Sequence, residues 1–470
     1  MTDGIPKFLL IAGAGFTALL LAFFAFSRPW YFTSQTYLGG LILLEFLIAA
    51  VWFYKRVFFP VVIVAFLLAG VDLPVGAVWT AARWLFLAVG ALAGTFIVLK
   101  ERRYHFGAFH AVACFAVLTA LMSATVSRYP NVALLKVLSL FLLLLYCGTG
   151  ARIAVAGREN RFFSGLLLGC EVFVGATALL YLLGMEAMGN PNSLGAVMGV
   201  VGAPILLWGF LLEGEPAVRH RRGALFAVCM YLGFVSHSRA GLAAAFVSSG
   251  LLCLSLRKYK MFIQGLMILV IVLAATAIVR PEVITSMTSS LLYKGAEQGQ
   301  GILASRQSPW HAAVGNIKEH PWFGTGLGTT ADGADADQQQ GKFSSSSDVT
   351  SENGSSYLAI VSGVGLLGAI PSLFLLSMLI AKVLRTVGFM RRGTTAAHAA
   401  IPLAMVMVAG LVHAAFEDWM FAPGNYLCVF FWSLAFILVD VTRPSPSPAL
   451  ARNWPGRTTP QSFNGAVSAR

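Results

Sequence analysis

The sequence predicts an all-α polytopic membrane protein of about 12–14 transmembrane helices with one large outward loop. Three observations carry that reading. Hydrophobic residues make up 57% of the chain and charged residues 11%, against about 25% charged in a soluble domain. Mean hydropathy is +0.76. Apolar runs of roughly 15–25 residues, the length a helix needs to cross a bilayer, follow one another almost end to end.

The runs fall at 8–26, 38–54, 57–70, 79–99, 106–125, 132–148, 162–183, 193–213, 223–238, 240–256, 261–279, 355–381, 399–415 and 425–440. The first follows a single Lys7 and leads into Ser27-Arg28-Pro29-Trp30 without a small-residue cleavage pattern, so it reads as a retained anchor. The domain plan is membrane helices over 1–279, a large loop over 280–354, further membrane helices over 355–440, and a Pro-, Ser- and Arg-rich tail over 441–470. The tail reads as disordered.

Basic residues set the expected orientation. Lys55-Arg56, Lys100 with Arg102-Arg103, Arg152 with Arg158 and Arg161, Arg219 with Arg221-Arg222, Arg257-Lys258 with Lys260, and Lys382 through Arg392 all fall in alternate loops. About 23 of the 33 Lys and Arg lie on that side, which the positive-inside rule makes cytoplasmic. Both termini are then cytoplasmic, and the 280–354 loop faces outward. The formal charge of +13 reflects topology and anionic-lipid contact, and nucleic acid need not be invoked. The six cysteines lie in or at the ends of spans, with no disulfide framework and no zinc spacing.

Within this topology a set of cations shares one membrane boundary. Arg83 lies near the outer end of its span, Arg128 and Lys136 flank the next outer turn, and Arg239 follows Ser236-His237-Ser238. The outward loop adds Arg280, Arg306 and Lys318. Charges inside spans are costly unless paired or lining a wet cavity. A cluster at one leaflet suits a diphosphate, because Arg offers a planar fork to phosphate oxygens. For Arg83, Arg128 and Lys136 the plainer reading is side chains snorkelling to the interface.

The loop interior has its own pattern. Arg306 to Glu319 predicts an amphipathic helix, with Trp310, Ala313, Val314 and Ile317 at three- and four-residue spacing and Arg306 one turn before Trp310. His320-Pro321 ends it. Gly324, Gly326 and Gly328 then allow either a close backbone approach to a ligand or a tight turn. Trp310 and Trp322 are candidates to stack on sugar or to pack at the interface.

Asp332, Asp335 and Asp337 have spacing that suits a divalent ion, although a solvated segment is the plainer reading, and neither metal nor cofactor is expected. Glu352, just before the chain re-enters the membrane, is the expected general base for a hydroxyl acceptor. Glu417-Asp418 are further candidates, whereas His237 and His413 read as interfacial or core histidines. Glu45 and Glu171 stand inside apolar runs with no basic partner apparent. They are the residues an ion-coupled transporter reading would use.

Three of these segments resemble one family. Ser236-His237-Ser238-Arg239-Ala240-Gly241 is similar to the Ser-Arg-small-Gly signature of the O-antigen ligase/polymerase superfamily. Arg306 through Gly328 resembles its outer-loop stretch, and Tyr357-Leu358 with Gly365-Leu366-Leu367-Gly368 resembles the start of the span that follows. The ordered set covers roughly residues 190–370. The resemblance implies a GT-C-like helical fold and a glycosyltransferase that takes glycan from an undecaprenyl-diphosphate-linked oligosaccharide, for O-antigen or exopolysaccharide biosynthesis. The recipient is a glycan or lipid acceptor, and Arg239 and Arg306 hold the diphosphate. Polysaccharide-assembly partners and membrane lipids complete the expected surroundings.

One departure matters. Family ligases carry a His-Asn pair just ahead of the Tyr-Leu, where this chain has Gly354-Ser355. Glu352 is the nearest group able to replace it, which favours a polymerase over a lipid A ligase. The alternative from another class is a transporter or flippase for lipid-linked oligosaccharide.

Overall fold

A helix in hydrocarbon must satisfy its backbone internally, so a chain of apolar runs has little choice but helices. A computed structural model of the chain describes residues 54–69, 76–101, 106–184, 188, 191–279, 304–329, 353–392 and 398–442. The described residues are 83% helical, with no strands among them. In chain order the helices are α1 (Tyr54–Ala69), α2 (Gly76–Lys100), α3 (Ala108–Val126), α4 (Pro130–Gly148), α5 (Gly150–Val155), α6 (Glu159–Leu182) and α7 (Pro191–Val197). A π-helical turn, Met198–Gly202, leads into α8 (Ala203–Leu212). There follow α9 (Pro216–Val235), α10 (Arg239–Ser255), α11 (Tyr259–Val279), α12 (Ala304–Glu319), α13 (Ser356–Arg391), α14 (Ala400–Ala414) and α15 (Tyr426–Val441). Among the described residues six helical stretches are long and apolar enough to cross a membrane, and four shorter apolar helices accompany them. The protein is therefore an all-α polytopic membrane protein.

Small residues set the closest helix crossing. Gly195 and Gly199, one turn apart on α7 and the π-helical turn, face Gly241 of α10. A methyl group on Gly199 would lie 2.0 Å from the Gly241 carbonyl oxygen, and one on Gly195 would lie 2.2 Å from Ser238 Cβ. Backbones approach this closely only where both sides are small, the usual device for packing helices in lipid. The crossing seats the first turn of α10, and with it Arg239, against α7.

Helix α13 departs from the expected uniform span. It continues ten residues past the expected end at 381, and at Gly365 its backbone leaves the helical region (φ 63°, ψ −173°). In an unbroken helix the Leu366 and Leu367 amides would donate to the Ser362 and Gly363 carbonyls, four residues back. Instead Leu366 donates to Pro321 O (2.8 Å) and Leu367 to Trp322 O (3.2 Å). The freed carbonyls of Ser362 and Gly363 accept from Thr325 N (3.0 Å) and Gly326 N (2.8 Å). Segment 321–326 thus fills the break as a short strand would. From α3, the Ser123 hydroxyl lies between the Phe323 and Gly363 carbonyls, and Ser127 Oγ donates to Thr325 O at 2.6 Å. The Gly-x-Gly run is therefore a tight packing element whose glycines meet protein: Cβ atoms on Gly324 and Gly326 would lie 2.5 and 2.4 Å from Gly365 N and Ser127 Oγ.

At the opposite end of the bundle, buried charges are matched. Arg152 is 3% exposed and forks onto Asp440, with Nη2 to Oδ1 at 3.0 Å, while Nη1 meets His110 Nε2 at 2.9 Å. Glu171 corrects the sequence reading of an isolated acid. It accepts from Arg221 Nη2 (2.8 Å) and Arg222 Nε (2.9 Å), and Arg222 Nη1 also reaches Glu213 at 2.6 Å. Sequence spacing hid the match because α9 runs parallel to α6 about 50 residues further on, with Tyr181 likewise meeting Tyr231. Glu45, the expected anchor at 8–26 and the tail lie outside the described residues.

Substitution at the break tests this architecture. Gly365→Ala would place a methyl 2.3 Å from the Trp322 carbonyl oxygen in backbone space that only glycine occupies comfortably. It should destabilise the solubilised protein by at least about 2 kcal/mol in denaturant titrations and speed trypsin cleavage after the already exposed Lys318 as α12 loosens. Gly388→Ala on the same helix, where an added methyl meets nothing within 4 Å, should leave both measurements unchanged.

Candidate active site

The filled break carries α12 across the start of α13, at the end of the bundle where α10 begins and where the α14–α15 connection turns. Arg306 and Trp310, one turn apart on α12, share a face as their spacing predicts. Both lie against Gly354, whose Cβ would meet Arg306 Cδ at 3.3 Å and the Trp310 indole nitrogen at 3.4 Å. Trp310 Nε1 donates to Gly354 O at 3.4 Å. The space over Gly354, where the ligases this chain resembles carry the His of a His-Asn pair, is thus filled from α12. Gly354 takes a left-handed conformation there (φ 62°), and Ser355 is buried.

The guanidinium of Arg306 pairs with Glu417 of the 415–425 connection. Arg239, the first residue of α10, lies within electrostatic reach of both Arg306 and Glu417. Its helix is capped by Ser238, whose Oγ accepts from Gly241 N at 3.2 Å. His237, immediately before, is held in a left-handed conformation (φ 51°) that non-glycine residues seldom adopt, so the turn delivering Arg239 is strained. Two guanidinium groups from different helices therefore converge beside one carboxylate.

The connection bearing Glu417 is gripped at several points. Ser356, fully buried, donates through N (3.1 Å) and Oγ (2.7 Å) to the Glu417 carbonyl, and its Oγ accepts from Trp419 N and Met420 N, both at 3.0 Å. Arg83 Nη1 donates to Gly424 O at 2.9 Å, its guanidinium lying over the Phe66 and Trp84 rings. Asn353 Nδ2 donates to Asp418 Oδ2 at 3.3 Å. Beneath, His413 is 2% exposed and accepts the Trp419 indole N–H on Nδ1 at 2.8 Å. Its own proton is therefore on Nε2, which is buried without a hydrogen-bond partner.

The remaining expected residues divide. Lys136 reaches the site from α4, donating to Gly328 O at 2.6 Å and lying within electrostatic reach of Asp418. Arg128 is exposed at the α3–α4 turn, its guanidinium 5.8 Å from the Tyr129 ring centre. Trp322 is 61% exposed, beyond the filled break. Glu352, Arg280 and Asp332–Asp337 lie outside the described residues. Sequence reading placed Glu417 behind Glu352 and did not single out Ser356, and nothing in local spacing links either to Arg306.

Fold and site together define a membrane-embedded helical protein with arginines and carboxylates gathered at one end of its bundle. Residues 224–373 match the family model described as O-Antigen ligase, which supports the O-antigen ligase/polymerase superfamily for this chain. The matched segment holds Arg239, Arg306, the filled break and Gly354, whereas Lys136, Glu417 and Asp418 lie beyond it. No curated protein matches the chain. Members of the family are glycosyltransferase-like ligases and polymerases, which supports an enzyme at that level.

Removing the Ser356 hydroxyl tests how the site is held. Ser356→Ala leaves two buried amides without an acceptor, at about 1–3 kcal/mol each. Stability in detergent, read from denaturant titration, should fall by about 2–6 kcal/mol.

Proposed function

We propose that the protein transfers glycan from an undecaprenyl-diphosphate-linked oligosaccharide, on the outer face of a bacterial inner membrane, to a second glycan. The observation that carries this is the Arg306–Glu417 pair with Arg239 within electrostatic reach of both. One planar cation that holds a carboxylate, with a second within electrostatic reach, suits a diphosphate leaving group, whose charge the two would neutralise as the glycosidic bond breaks. Lys136 extends the cationic surface, and Trp310, which with Arg306 packs on Gly354, borders it.

The facing is supported by charge. Arg152, Arg158, Arg161, Arg221, Arg257 and Arg391 lie at helix ends opposite the site, the arrangement the positive-inside rule assigns to the cytoplasm. An apolar cavity of about 830 Å³ between α1, α6, the π-helical turn and α15 suits a lipid tail. Its lining includes Phe59, Phe162, Met198 and Phe430, and it reaches Tyr426 next to the site-bearing connection.

Polymerisation is favoured over ligation to lipid A. The ligase histidine position is Gly354, packed under Arg306 and Trp310, and the acceptor proton must go to a carboxylate from elsewhere. Glu352 was the expectation from sequence. A transporter would use a discontinuous helix as a midplane ion site. The break in α13 is instead closed by the chain's own amides and carbonyls.

Complementation of a deletion strain tests the reading. Arg239→Ala and Arg306→Ala should each abolish surface polymer at normal protein levels, since each removes a cation that would neutralise the leaving diphosphate, an effect of roughly 10²–10³-fold for the loss of one charge-stabilising group. Accumulated single lipid-linked repeats would mark a polymerase and long lipid-linked chains a ligase. Wild-type polymer from the Arg306 variant would favour the transporter and sink the proposal.

A further inference from the structure

We propose that Glu417 takes the proton from the acceptor hydroxyl, and that while no donor is bound it stands in for the diphosphate on Arg306. This rests on the glycan-transfer reading above and adds to it the missing base and the order of events.

The geometry has three parts. First, the Glu417 backbone is fixed, because Ser356 grips its carbonyl through both N and Oγ, and Ser356 also anchors the next two amides. Only the side chain is left to move. Second, that side chain is 24% exposed and its partner Arg306 19% exposed, so solvent and a ligand can reach the pair. Third, a carboxylate and a phosphate present the same planar pair of oxygens to a guanidinium, and a diphosphate carries more charge. A donor seated on Arg239 and Arg306 therefore displaces Glu417 from Arg306.

Displacement changes its chemistry. A carboxylate held by a cation is a weak base, and losing that cation makes it a stronger one. The groups around it are Arg306 from α12, Arg239 from α10, buried His413 from α14 and Asp418 beside it, the last engaged with Asn353 and facing Lys136. With both arginines committed to phosphate, Glu417 accepts the proton as the acceptor oxygen forms its bond to the donor's anomeric carbon. The bond from that carbon to phosphate oxygen breaks, and its electron pair leaves with the undecaprenyl diphosphate. The proton then passes from Glu417 to water. Base activation thus waits for the donor.

The test uses the full chain in nanodiscs, with undecaprenyl diphosphate as binding probe and lipid-linked oligosaccharide from a deletion strain as donor. Glu417→Gln keeps the shape and a hydrogen bond to Arg306 while removing the competing charge. It should bind undecaprenyl diphosphate as tightly as the native protein or tighter. Its transfer rate at saturating donor should fall at least tenfold, within the ~10²–10⁴-fold range of general-base loss at full effect, and the acid limb of its pH–rate profile should vanish. Glu417→Asp should bind normally and transfer slowly with the acid limb retained, which separates chemistry from misfolding.

A smaller rate loss in Glu417→Gln, weakened binding of the probe, or loss of the acid limb in Glu352→Gln alone overturns the proposal. The parent reading is judged separately. If Arg239→Ala and Arg306→Ala still bind undecaprenyl diphosphate normally, that reading falls. If they lose binding while Glu417→Gln transfers normally, only the role of Glu417 falls.

Discussion

A transmembrane helix that breaks its own ladder must find other partners for the backbone groups it frees, because hydrocarbon supplies none. In α13 the break at Gly365 releases the Ser362 and Gly363 carbonyls and the Leu366 and Leu367 amides, and residues 321–326 meet all four. Each such group left unmet in an apolar setting would cost several kcal/mol. The loop is therefore pinned to the bundle by a constraint far stronger than its own composition suggests. Helix α12 ends at Glu319, two residues before this clamp, so its position follows from it. Arg306 and Trp310 inherit their place over Gly354 from a backbone exchange more than ten residues away.

Charge is handled differently at the two ends of the bundle. Arg152 is nearly inaccessible, forks onto Asp440 with two nitrogens and also meets His110 and the Gly148 carbonyl. Glu171 holds two arginines, one of which holds a second glutamate. Breaking either network would strand a charge in the interior at several kcal/mol, so both read as structure. The Arg306–Glu417 pair is partly exposed on both sides. A pair of that kind costs little to exchange, which suits ligand binding better than stability.

Helix positions were largely legible from hydropathy, since the expected runs at 132–148, 162–183, 240–256 and 425–440 differ from α4, α6, α10 and α15 by no more than a few residues. The amphipathic helix beginning near Arg306 was legible for the same reason: its period is local. What could not be read was long-range. Ser123 meets Phe323 across 200 positions, and Arg306 meets Glu417 across 111. No spacing rule spans such distances without the fold. Gly324, Gly326 and Gly328 show how one pattern admits two uses. Close backbone approach was the right physical reading, but the partner is α13 and its neighbours, so the run builds the scaffold under the site.

Gly354 shows why the site does not follow the ligase pattern. A histidine there would have to displace Arg306 Cδ, Pro309 Cβ and the Trp310 indole, all within 3.4 Å of where its Cβ would stand, and would do so from a left-handed backbone. The contacts that exclude that side chain also hold Arg306 toward Glu417. An imidazole at this position would thus compete with α12 for the same space. Once α12 lies here, any proton acceptor has to come from another element, and the 415–425 connection is the described segment that presents a carboxylate to Arg306.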